Sequence, residues 1–156
     1  MPDAFICRMC GQCCQGQGGI VLSSRDINRL AAGLALSPQA LLNAYGAFDN
    51  TKPILTSSDD GSCIFFQPSQ GCTVHALKPD ICRAWPFFRG NLEDESSWRM
   101  AQGYCPGINP DISHLEFVRQ GLIYVRSQDL VYPPAPESPS ALVTGHLLER
   151  HAALIS

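Results

Sequence analysis

The sequence has no run of basic residues: eleven lysines and arginines are scattered among fourteen acidic residues, for a formal charge of −3. A polyanion needs a clustered positive face, so no nucleic-acid partner is expected. No stretch approaches the ~18 consecutive apolar residues that would span a bilayer, so no membrane partner is expected either. The opening Met1-Pro2-Asp3-Ala4-Phe5-Ile6-Cys7 carries neither a basic segment nor a long apolar one. No secretory signal is therefore read, and a reducing cytoplasm is the expected location. A GxGxxG loop, a GxSxG elbow and an HExxH helix are missing too, which removes the usual marks of dinucleotide binding, serine hydrolysis and zinc proteolysis.

Cysteine is what the chain does have. Of eight cysteines in 156 residues, four fall within Cys7-Arg8-Met9-Cys10-Gly11-Gln12-Cys13-Cys14, a CxxCxxCC knot. Their overall density, about 5%, is below that of a small secreted disulfide scaffold. A bridge between the adjacent Cys13 and Cys14 would be strained. Soft thiolates suit zinc, an iron–sulfur cluster or Cu(I), and four complete either a tetrahedral zinc site or a cubane. The remaining cysteines, Cys63, Cys72, Cys82 and Cys105, lie well downstream, most of them close to a turn-forming residue. Buried structural thiols are the competing reading. Because Cys13 and Cys14 project in different directions, the knot has to borrow from the later group. One partition is of ferredoxin type, with Cys7, Cys10 and Cys13 completed by Cys105, which leaves Cys14, Cys63, Cys72 and Cys82 for a second site. Eight thiolates would add eight negative charges, of which two divalent ions offset half; Arg8 and Arg83, each beside a cysteine, are candidate supporting groups.

Local signals outline an α+β fold: a small metal-stapled domain with a helical hairpin, short antiparallel strands and a C-terminal helix. Ser23 and Asp26 match a capping box ahead of Ile27, Leu30, Ala31 and Leu34, which predicts a helix over 24–35. Ser37-Pro38 opens a second helix that ends before Gly46. Short strands are expected at Pro53–Thr56, Cys63–Phe66 and Cys72–His75, and another at Trp98–Ala101; Glu93-Asp94-Glu95 reads as a solvated loop. Ser113 and Glu116 precede an amphipathic helix over 114–128. By this reading residues 1–130 are a cysteine-cluster metal-binding domain, 131–140 a proline-rich linker and 141–156 a helical C-terminal tail.

Together, Phe5–Cys14, Cys63-Ile64-Phe65-Phe66, Gly71–His75, Lys78–Phe87 and Cys105-Pro106-Gly107 resemble the YkgJ-type cysteine-cluster family, taken to chelate zinc or iron. The resemblance spans about residues 5–107 and implies all eight cysteines as metal ligands. It departs from the family pattern at Val74-His75, where Ile-Tyr is usual, and at Lys78-Pro79, where Arg-Pro is usual; His75 is thereby an alternative ligand. Trp85, Pro86, Phe87 and Phe88 are expected to shield the site from water, unless they are ordinary core aromatics.

The functional expectation is a cytoplasmic metal-binding protein using its eight cysteines for zinc or an iron–sulfur cluster, in metal handling, redox or docking to a protein partner. A related resemblance, to the flagellin lysine-N-methylases, supplies a second reading, a cluster-assisted group-transfer enzyme. A third is a structural zinc scaffold for protein interaction.

Overall fold

In the computed structural model, which describes residues 2–8, 20–49, 52–59 and 61–156, the chain divides into two units, residues 9–83 and residues 1–8 with 84–156.

The first unit is organised by helix α1, Ser24–Gly33. It starts on the expected capping box: the Ser23 hydroxyl accepts from the Asp26 N–H at 3.1 Å, and the Asp26 carboxylate accepts from the Ser23 N–H at 2.9 Å. Two N–H groups that helix geometry leaves without partners are satisfied in this way. Leu30 and Ala31 are buried, and Ile27 and Leu34 pack against the same core. Helix α2, Pro38–Tyr45, takes Ser37 as its N-cap and completes the expected helical hairpin.

Tyr45 leads straight into a three-stranded antiparallel sheet of β1 (Ile20–Val21), β2 (Gly46–Asp49) and β3 (Lys52–Leu55). Its order is β1-β3-β2, with Ile20 and Gly46 each paired with Leu55. The strand β2 directly after the helix was not expected from the sequence. The expected strand at Cys63–Phe66 shortens to β4, Phe66–Gln67. The one at Cys72–His75 becomes β5, Gly71–Cys72, followed by a 3-10 turn over His75–Leu77. Phe66 pairs with Cys72. Leu22, Leu30, Leu41, Leu55, Phe65 and Val74 form the core between hairpin and sheets. Each such side chain contributes about 1.5–3 kcal/mol by leaving water. The α+β class with short antiparallel strands therefore holds.

Helix α3, Asp80–Ala84, leads into the second unit, which is helical: α4 (Arg89–Glu93), α5 (Glu95–Gln102), α6 (His114–Ser127) and α7 (Gly145–Arg150). Two expectations are corrected here. Trp98–Ala101 lies in helix α5 and not in a strand, and the acidic stretch is the junction between α4 and α5 rather than a loop. Asp94 is the N-cap of α5, accepting from the Ser96 N–H at 3.1 Å and the Ser97 hydroxyl at 3.0 Å. Trp98 and Ala101, three apart on the helix, then face the core while Met100 is exposed. Helix α6 starts at the expected Ser113 cap, which accepts from the Glu116 N–H at 3.1 Å. The Glu116 carboxylate turns to Arg119 instead of back to the cap. Beyond α6 the Tyr132 N–H donates to the Leu142 carbonyl at 2.9 Å, and Leu130, Leu142 and Leu147 are fully buried with Trp98 and Phe117 among the unit's largest core side chains. Among the described residues no helix is long and apolar enough to cross a membrane.

Candidate metal centre

In the unit that contains Cys7 and Cys105, the N-terminal arm is paired with the segment that follows Cys105. The N-terminal arm runs antiparallel to the segment after Cys105: Asn109 N–H donates to the Ala4 carbonyl at 2.9 Å, Ile6 N–H donates to the Gly107 carbonyl at 3.0 Å, and Phe5 pairs with Ile108 between them. Gln120 of α6 clamps the arm, its Oε1 accepting from the Ala4 N–H at 2.7 Å and its Nε2 donating to the Pro2 carbonyl at 2.9 Å. Gly107 is required for this approach, because a Cβ there would run into the Ile6 carbonyl oxygen and the Phe5 ring.

Cys105 is buried and closes α5, its N–H donating to the Ala101 carbonyl at 3.0 Å while its own carbonyl accepts from the Ile108 N–H at 3.2 Å. Its Sγ accepts from the indole Nε1 of Trp85 at 3.4 Å. That indole stacks on Tyr104, with ring centroids 5.7 Å apart, and meets Phe88 edge-on at 5.2 Å. Burial pushes the Tyr104 hydroxyl pKa up, and the adjacent Cys105 adds to the effect. Cys7 by contrast is exposed. Of the expected aromatic shield, then, Trp85 touches a candidate ligand directly, whereas Phe87 packs on Phe117 at 5.1 Å as a core residue.

The other unit holds Cys63, Cys72 and Cys82. Cys63 is buried in the core, its backbone pairs with Ser57, and its carbonyl accepts from the Phe66 N–H at 2.9 Å. Cys72 follows Gly71, whose φ of +75° closes the β4–β5 turn in a conformation costly for any residue with a Cβ. Cys82 rides on α3, whose start is fixed to α1 by a buried charge network. The Asp80 N–H donates to Asp26 Oδ1 at 2.8 Å, Arg25 Nε donates to Asp80 Oδ2 at 3.0 Å, and Arg29 reaches Asp26 at 2.8 Å and Asp80 at 3.0 Å. Arg29 also donates to the Lys78 carbonyl at 3.0 Å. Both carboxylates are almost completely buried. Burial raises the Asp26 pKa against the pull of the Ser23 and Asp80 N–H groups. His75, the alternative ligand, is half-buried with Nε2 3.4 Å from Lys78 Nζ; burial and then that ammonium push its pKa down.

Among the described residues no three His, Cys, Asp or Glu side chains form a group able to hold a metal ion. Cys10, Cys13 and Cys14, the heart of the expected ligand set, lie outside the described residues. The donors that are described suit the group: they are thiols of the soft class that zinc and iron–sulfur centres take. Sequence reasoning did not find the Arg25–Arg29–Asp26–Asp80 network. Its only trace is the Arg25/Arg29 spacing, which places both on one helix face.

A family model described as "CxxCxxCC: Putative zinc- or iron-chelating domain" matches residues 6–106. No curated protein and no solved structure matches the chain.

Proposed function

Since this chain belongs to the CxxCxxCC family, we propose that it chelates zinc or an iron–sulfur cluster through Cys7, Cys10, Cys13, Cys14, Cys63, Cys72, Cys82 and Cys105, as a cytoplasmic protein of metal handling, redox or partner docking. The observation that carries this reading is the match of the CxxCxxCC family model over residues 6–106, a span that contains all eight cysteines. Bound metal would give polarised thiolates and, as iron–sulfur, an electron-carrying centre. The chain's own residues supply the rest: Gln120 clamps the arm, Asp80 and Arg29 hold the helix that carries Cys82, and Trp85 covers Cys105.

Anaerobic purification followed by elemental analysis and visible spectroscopy tests the proposal. Retained zinc or iron is the expected result, with metal content falling in Cys10→Ser and in Cys105→Ser. A brown protein would select the iron–sulfur form, and a colourless zinc protein would select zinc handling or the scaffold role. Native protein free of both elements would overturn the reading.

A further inference from the structure

The chain's two tryptophans, both in the same unit, use their indole N–H groups differently. Trp98 Nε1 is buried and has no acceptor among the described residues, whereas Trp85 Nε1 donates to the sulfur of Cys105 at 3.4 Å. A neutral thiol is a weak acceptor, but a thiolate sulfur takes a charge-assisted hydrogen bond of roughly double strength. Metal coordination would make Cys105 the second kind of acceptor. Cys105 is buried, so its sulfur can carry charge only with a cation and hydrogen-bond donors beside it. The indole is held by Tyr104 on its face and Phe88 at its edge. The sulfur is held independently by the backbone bonds on either side of Cys105. Donor and acceptor are thus each fixed by contacts within the protein.

We propose that Trp85 is a positioning residue for the metal-bound form of Cys105, its indole N–H orienting the coordinated sulfur and drawing charge from it. This inference rests on the chelation reading above and adds a group outside the cysteine set. Partners of this kind, one bond removed from the metal, typically contribute 10- to 100-fold to affinity. The bond also stabilises the sulfur lone pair, so its loss should move sulfur-to-metal charge transfer to longer wavelength.

The test is titration of the full chain with cobalt(II), read at the thiolate-to-cobalt charge-transfer band and competed with a chelator, in wild type, Trp85→Phe and Trp98→Phe. Trp85→Phe is expected to bind roughly 10-fold more weakly, with its band shifted to longer wavelength. Trp98→Phe, which removes an N–H without an acceptor among the described residues, should match wild type in both. Should Trp85→Phe fail to fold, benzothienylalanine incorporated for tryptophan in the Trp98→Phe background replaces that one N–H by sulfur at nearly unchanged shape. A Trp85 variant with wild-type affinity and band position overturns this inference alone, as does weakened binding with an unmoved band, which marks a packing role. Wild-type protein that takes up no cobalt overturns the chelation reading and this inference with it.

Discussion

A Cβ at position 107 would occupy the space of the Ile6 carbonyl oxygen, whereas a Cβ at position 90 would meet nothing within 4 Å. Gly107→Ala should therefore lower the urea midpoint and the metal content together, while Gly90→Ala, on helix α4, should be neutral or stabilising by up to about 1 kcal/mol. Asp94 is a second position where one atom decides. As the N-cap of α5 it should tolerate Asn, which also caps, and lose stability on replacement by Ala, with the ordering Asp, Asn, Ala visible in thermal melts. Glu116 ties stability to acid. Hydrogen bonding from Arg119 holds its carboxyl down to about 2 against an ordinary value of 4.5. The folded chain therefore binds this proton less readily than the unfolded one, so the stabilisation is complete above the ordinary value and lost as pH falls toward 2. Urea melts at about pH 5 and about pH 3 should show a smaller acid loss for Glu116→Gln than for wild type.

At the scale of elements, the contact between α1 and α3 is the one most sensitive to a single charge. Asp80→Ala leaves Arg29 and the buried Asp26 with a broken network and should cost about 3 kcal/mol, the low end for a buried pair because Arg25 reaches solvent. Arg99→Gln, which breaks the exposed pair with Glu95, should cost about 0–0.5 kcal/mol in the same denaturation experiment. Elements with local start signals were legible in the sequence. Ser23, Ser37 and Ser113 each announce a helix whose apolar residues then recur at helical spacing, and α1, α2 and α6 stand where those signals put them. Helix α5 was not legible, because its cap lies inside an acidic triplet that looks like solvated chain and its Trp98 suggests a strand. The strands β4 and β5 are two residues each, too short for alternation to show. The Asp26–Asp80 contact joins residues 54 positions apart, and the Arg25/Arg29 spacing on α1 does not by itself point to Asp80.

For the whole molecule, the candidate ligands were visible as a pattern of cysteines long before their surroundings were. Spacing nominated Cys7 and Cys105, but neither the pairing of Phe5 with Ile108 nor the Trp85 indole on the sulfur follows from residue type alone. Structural zinc contributes an apparent ~10–16 kcal/mol in small peptides, against a total stability of ~5–15 kcal/mol for an ordinary domain. Chelator treatment of native protein should therefore lower its melting temperature sharply, and re-addition of the lost metal should restore it. A melting curve indifferent to chelator would count against metal as a structural element.

The pairing of Phe5 with Ile108 also sets an order of events at the ribosome. Seven of the eight cysteines emerge before Cys105, yet the strand that draws the arm into place is made only after it. At the usual ~5–20 residues per second, the nascent chain carries its CxxCxxCC segment for several seconds without the partner strand. Translation stalled before Gly107 would leave the N-terminal arm without the segment it pairs with.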